Sequence, residues 1–265
     1  MLSKLTIIVM AASAFITRVV AKQDTCHALA LSGGGTNAVW EAGVIWGLTH
    51  YGNPDDFKWD VITGISGGAI NTGLLSVWAV GDEVKASEFM SEVYATCKSE
   101  DIIHEWPGGV VEGFLSKGGL FDNSPGQAYG EHLYTLFPEG VKRRYVVTAN
   151  DADTGEYTAF TEKNTPYEHL VDAIISSASV PFIFPPHHYN GTYYIDGGST
   201  WNINIDSAVQ RCLEVVDDPS KITIDVMICG NSTLTALDEA ENTAYGNFMR
   251  MRDMQDYYVN YNSIY

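Results

Sequence analysis

Ser66 sits between glycines in Gly64-Ile65-Ser66-Gly67-Gly68, after a strand-forming run and before a helix-forming one. A hydroxyl nucleophile on a sharp strand-to-helix turn needs glycines two positions to either side. The following helix also aims its amide dipoles at the serine oxygen. By composition, such a pattern arises in about one chain in ten of this length, so the strand-then-helix setting is what singles it out. Gly33-Gly34-Gly35 forms a second turn of this kind. Amides freed there can face an anion, either a phosphate or the oxygen of a tetrahedral intermediate. The Gly-Lys-Ser/Thr pair of a nucleotide loop is absent, which favours an oxyanion hole. Close helix–strand packing accounts for at least one of the three glycines.

Asp196-Gly197-Gly198 is the third candidate. Asp-Gly is usually a plain turn. What changes its weight is a missing residue. The common α/β serine hydrolase orders its triad Ser, Asp, His, and here no histidine follows Asp196. An aspartate acting directly on the serine is the economical alternative.

These turns need strands and helices to hold them. His27 to Leu31 reads as a strand, followed by a helix from Thr36 to Thr49 on which Val39, Gly43, Trp46 and Gly47 recur at helical steps. Trp59 to Thr63 is a second strand, and Ala69 to Val80 a second helix. Two successive strand–glycine–helix units predict an α/β fold with a central, mostly parallel sheet and helices on both faces. Right-handed crossovers place both glycine turns at the carboxyl edge of that sheet, where α/β proteins bind ligands. Further strands are predicted at Arg144 to Ala149, Tyr157 to Thr161, Thr192 to Ile195 and Ile222 to Ile228. Helices are predicted at Pro166 to Ser179 and Ser207 to Glu214. From Leu234 the chain reads helical, with Met254, Tyr257, Tyr258 and Tyr261 on one core-packing face. Trp40, Trp46, Trp59 and Trp78 read as core. Phe182, Ile183 and Phe184 either line an acyl-chain pocket or simply pack. The histidines have no metal-ligand spacing, and His187-His188 reads as exposed loop. No domain boundary is visible.

Taken together, the three motifs resemble the patatin-like phospholipase family over roughly residues 28–230. The resemblance rests on Leu31-Ser-Gly-Gly-Gly35, Gly64-Ile-Ser-Gly-Gly68 and Asp196-Gly-Gly198. Weaker echoes lie at Gly119-Leu-Phe-Asp-Asn-Ser-Pro125, Asp153-Thr-Gly155 and Ser177-Ala-Ser-Val-Pro181. It implies a three-layer sandwich and a Ser66–Asp196 dyad with an oxyanion hole around Gly33, Gly34 and Gly35. It also implies a lipid acyl-ester substrate, transient contact with a lipid surface, and neither metal nor cofactor. The family writes Arg or Lys and then Gly after the glycine turn, where this chain has Asn37 and Ala38. A phospholipid headgroup preference is therefore less secure than ester hydrolysis. The competing reading is a secreted storage or lipid-binding glycoprotein that keeps the fold without meaningful turnover.

Lys4, the apolar run Leu5 to Ile16 and the small residues Val19-Val20-Ala21 have the layout of a secretory signal peptide over residues 1–21. The competing reading is an uncleaved anchor, interrupted by Arg18. Residues 22–265 then form a single domain in a secreted or lumenal protein, without a transmembrane segment in the mature chain. Sequons at Asn190 and Asn231 fit that route. So does the even set Cys26, Cys97, Cys212 and Cys229, for which three pairings are open. Cys26–Cys229 is the least expected of these, because the two fall at opposite strand ends. Four unpaired cysteines are the alternative. The formal charge is −18, or −20 after loss of Lys4 and Arg18. Such a surface repels phosphate backbones, so no nucleic-acid partner is expected. The sequence stops within a stretch that reads helical, so a longer parent chain remains open.

Overall fold

A computed structural model describes residues 23–230, 234, 236 and 243–262. The predicted signal peptide and the Asn231 sequon lie outside the described residues. In chain order, β1 (Cys26–Leu31), α1 (Ala38–Tyr51), β2 (Val61–Gly64) and α2 (Gly67–Ser76) form the first two units. Then come α3 (Glu83–Thr96), α4 (Ser99–Ile102), β3 (His104–Glu105), α5 (Gly109–Glu112), β4 (Phe121–Asp122) and α6 (Ser124–Tyr134). The second half contains β5 (Arg144–Asp151), β6 (Tyr157–Phe160), α7 (Leu170–Ala178), β7 (His187–Tyr189) and β8 (Thr192–Asp196). It ends with α8 (Ile205–Cys212), β9 (Ile222–Met227) and α9 (Ala244–Asn262).

Seven strands make one sheet in the order β7-β8-β5-β2-β1-β9, with β6 also paired to β5. The run β5-β2-β1-β9 is parallel; β6 and β8 each pair antiparallel with β5, and β7 pairs antiparallel with β8. This is the predicted α/β architecture. Alternation along β1 assigns the layers. Leu29 and Leu31 pack with Ile45 of α1, Leu74 and Leu75 of α2, and Met90 of α3. Ala28 packs on the other face with Val61, Ala208 of α8, Val215 and Val216. A disulfide joins Cys26 at the start of β1 to Cys212 at the end of α8, fastening that layer to the sheet. That bond excludes the all-unpaired alternative, while Cys97 and Cys229 are free thiols, so the even set of four closes only one disulfide. Cys229 follows β9 at the opposite sheet edge from Cys26, which is why those two do not pair.

Three packing expectations are corrected. On α1 the buried stripe is Ala38, Ala42, Ile45 and Thr49, not Val39, Gly43 and Trp46. Small residues let the helix approach its neighbours closely, and Trp40 is turned outward, 56% exposed. On α9, Met254 and Tyr258 are exposed rather than core, while Tyr257 and Asn260 face the cavity described below. His187-His188 is not a loop: it forms most of β7, and His187 Nε2 lies 3.0 Å from Asp172 Oδ1. Asn190 is exposed at the β7–β8 turn, with φ 50° ahead of Gly191 at φ 85°, the left-handed pair that tight hairpins prefer.

Candidate active site

The carboxyl ends of β1, β2 and β9 lie side by side, and the segments leaving them carry Gly33, Ser66 and Cys229. Asp196 reaches the same edge from an antiparallel strand, because β8 pairs only with the last three residues of β5. Gly64 is level with Val147 of β5, and Asp196 with Ala149, two residues further on.

Ser66 occupies the N-cap position of α2 at φ 54°, ψ −119°, a backbone conformation that side chains rarely adopt. Two constraints hold it there. A side chain at Gly64 would collide with Gly68 and Thr72, and one at Gly68 would lie 2.6 Å from the Ser32 carbonyl. From the other side, Ser66 N–H donates to Ser177 Oγ at 2.9 Å. The strain thus coincides with a serine at a helix N-terminus, where the α2 dipole favours negative charge on its oxygen.

The glycine loop passes directly over this turn. A Cβ on Gly33 would sit 3.1 Å from the Ser66 Cβ. The Gly33 amide donates to the Asn202 carbonyl at 3.1 Å, so it is already engaged. The amides of Gly34 and Gly35 donate to no described residue. Asn37, at the position where the motif departs from expectation, has a local role: its side chain donates to the Cys229 carbonyl at 3.1 Å, tying the loop to the end of β9. Cys229 N–H in turn donates to Ser32 Oγ at 2.8 Å.

Asp196 is buried, and its Oδ1 accepts from Gly198 N–H at 2.7 Å. Asn150 of β5 donates to the Asp196 carbonyl at 2.8 Å, which steadies the turn. Gly197 sits against the Thr148 carbonyl and Ile65, beside the serine turn. Ser66, Asp196, Gly33, Gly34, Gly35 and Gly198 all line one cavity of about 470 Å³; Gly64, Gly68 and Gly197 shape the turns behind it.

The cavity also contains residues that no sequence motif marks. Asn202 donates to the Gly33 carbonyl at 2.9 Å and to Asn260 Oδ1 at 2.6 Å. Arg250, Asp253, Tyr257 and Asn260 bring α9 over the opening. Nothing in an isolated Asn-rich loop or a distant helix signals such roles. Val180 and Pro181 line the cavity, but Phe182 does not: it is 55% exposed, and its ring meets the likewise exposed Phe114 ring edge-on. Among the described residues no cluster of His, Cys, Asp or Glu could hold a metal ion, and no helix is long and apolar enough to cross a membrane.

Residues 29–209 match the patatin-like phospholipase family, and the chain belongs to it. It is 28% identical over 196 residues to "Probable lipid hydrolase 463L" of Invertebrate iridescent virus 6, an alignment covering 69% of this chain and 63% of that protein. The chain thus spans under two thirds of that relative's length. Among solved structures, VipD from Legionella pneumophila is similar at a TM-score of 0.43 and 14% identity, over 77% of this chain and 50% of that one.

Proposed function

We propose that the chain is a serine hydrolase of lipid acyl esters. The observation that carries this is the strained Ser66 at a helix N-terminus, in one cavity with Asp196 and a glycine loop presenting unengaged amides. Ser66 Oγ attacks the ester carbonyl carbon as Asp196 takes the hydroxyl proton. The carbonyl π electrons move onto oxygen, and the amides of Gly34 and Gly35 donate to that oxyanion. Gly33 acts by position, through Asn202. Collapse expels the alcohol, which leaves with the proton from Asp196. Water, deprotonated by Asp196, then attacks the acyl-serine; collapse of that intermediate breaks the acyl–Oγ bond, returns the proton from Asp196 to Ser66 Oγ and releases the carboxylic acid. A carboxylate is a weak base for a hydroxyl, so the oxyanion donors bear much of the barrier reduction; losing one such donor typically slows turnover about 10²- to 10³-fold.

Family membership and the similarity to a protein named as a lipid hydrolase support the substrate class. The Cys26–Cys212 disulfide supports export, since such bonds persist in oxidising compartments. A fluorophosphonate probe should label wild type and leave Ser66→Ala unlabelled, and Ser66→Ala should lose hydrolysis of a short-chain ester. Folded wild type that neither labels nor turns over would instead establish the storage or lipid-binding alternative.

A further inference from the structure

Beside the cavity, a group of large apolar side chains stands in solvent. Val111, Phe114 and Leu115, on α5 and the turn that extends it, are 64%, 66% and 73% exposed. Phe182 joins them, its ring edge-on to Phe114 with centroids 6.1 Å apart. Single exposed apolar residues are ordinary, but a contiguous cluster marks a surface that meets something apolar.

The presentation of Phe182 is enforced. Its φ is 76°, a left-handed conformation that bulky residues adopt only when their surroundings impose it. Here Leu120 N–H donates to the Phe182 carbonyl and Phe121 N–H to the Ile183 carbonyl, both at 3.0 Å. Gly119 lies so close to Phe184 and Pro185 that a side chain there would strike their backbone. The segment is braced on one side, and the ring is directed outward.

Two further observations identify what meets it. The cluster is continuous with the cavity, since Val180 and Pro181 line the pocket and Phe182 follows them directly. It also carries little net charge: Lys117 pairs with Glu112 at 3.2 Å and lies over the Trp106 ring. A chain of net charge −18 is repelled by anionic lipid, whereas a neutral or zwitterionic surface exerts no such repulsion.

We propose that Val111, Phe114, Leu115 and Phe182 dock this chain on a zwitterionic lipid surface, setting the cavity mouth against it so that an acyl ester passes from lipid to Ser66. The proposal rests on the lipid acyl hydrolase reading above.

The test uses Ser66→Ala protein and phosphatidylcholine vesicles, so that binding is read without turnover. Adding Phe114→Ser with Leu115→Ser should lower vesicle partitioning about 10- to 100-fold, given the apolar area withdrawn. In the Ser66 background the same pair should hydrolyse p-nitrophenyl butyrate within about twofold of wild type. Unchanged partitioning overturns the docking surface. So does a concentration-dependent dimer of wild type that the pair converts to monomer while partitioning is unaffected. As an independent reading, Leu115→Trp should shift its emission to the blue on vesicle addition, and an unshifted spectrum overturns the proposal. Absence of p-nitrophenyl butyrate hydrolysis by wild type, with partitioning intact, sinks the hydrolase reading alone.

Discussion

Asn202 holds Gly33 by both of its backbone groups: its side-chain amide donates to the Gly33 carbonyl at 2.9 Å, and its own carbonyl accepts the Gly33 N–H at 3.1 Å. The three glycines have no side chains with which to fix their position, so this clamp, together with the Asn37 tie to Cys229, sets where the Gly34 and Gly35 amides point. Asn202→Ala should lower kcat on a soluble ester by about 10- to 100-fold, a fraction of the loss of an oxyanion donor itself. KM should change little, because the donors matter most in the transition state. Steady-state kinetics with a matched thermal melt check this; a rise in KM at unchanged kcat would assign Asn202 to ground-state binding.

Behind the loop lies Glu41, fully buried on α1. Asn71 of α2 donates to Glu41 Oε2 and to the Ala38 carbonyl, each at 2.9 Å, and Tyr94 donates to Asn71 Oδ1 at 2.7 Å. Burial pushes the Glu41 carboxyl up to about 7, against hydrogen bonds from Asn71, Cys229 and Ser32 that favour the ionised form. The folded protein therefore holds this proton more tightly than the unfolded chain. The corresponding stability is fully present below the unfolded value of 4.5 and is lost as pH rises through about 7. The loss amounts to about 3 kcal/mol. Urea unfolding at pH 5 and pH 8.5 should show this drop in wild type, and Glu41→Gln should flatten it. An equal drop in both proteins would mean that another group is responsible.

Legibility in the sequence followed the range of the interactions. The strand–glycine–helix units were readable because Ser66, Gly64 and Gly68 constrain one another within five residues, and the turn chemistry is local. Asp196 was readable partly from the missing late histidine, but its place at the carboxyl edge depends on β8 pairing only with the end of β5, a register no local pattern displays. The Asn202 clamp spans 169 residues of sequence, and Asn202–Asn260 another 58, so neither leaves a periodic trace. On α1 the helical period is legible but its phase is not: the stripe Val39, Gly43, Trp46 and Gly47 lies one residue away from the buried Ala38, Ala42, Ile45 and Thr49, and small residues on both faces leave no local signal to choose between them. On α9 the large Met254 and Tyr258 are exposed while the neighbouring Tyr257 and Asn260 line the cavity, a choice of face that only the tertiary packing makes.

The Cys26–Cys212 disulfide closes a loop with a sequence separation of 186, joining β1 to the helix on the face opposite α1. Both sulfurs are buried among Ala28, Val61 and Ala208, away from the cavity. The double variant Cys26→Ser, Cys212→Ser should lose about 2–5 kcal/mol of stability. Its kcat per folded molecule should stay near wild type. Denaturant titration with and without reductant measures the first, and ester turnover the second. A reduced protein as stable as the oxidised one would mean that the bond adds nothing to the fold.

The most deeply buried charge pair among the described residues lies at the opposite end of the sheet from Ser66. Arg143, just before β5, has its guanidinium 2.8 Å from Glu83 at the start of α3. It also donates to the carbonyls of Trp59 at 3.1 Å, Trp78 at 2.8 Å and Ala79 at 2.6 Å. Desolvation lowers the Arg143 pKa, and Glu83 is the main opposing influence. Glu83→Gln keeps the shape but leaves a buried cation without its counter-charge, so it should destabilise the fold by about 3–5 kcal/mol. A purely ionic role would let Arg143→Met with Glu83→Leu restore most of that loss. The double variant instead strips donors from three carbonyls, each loss of a buried partner being unfavourable by about 1–3 kcal/mol. It should therefore remain at least about 2 kcal/mol below wild type. Chemical denaturation of the two variants decides between these cases: recovery to wild-type stability would show that the carbonyl contacts contribute nothing.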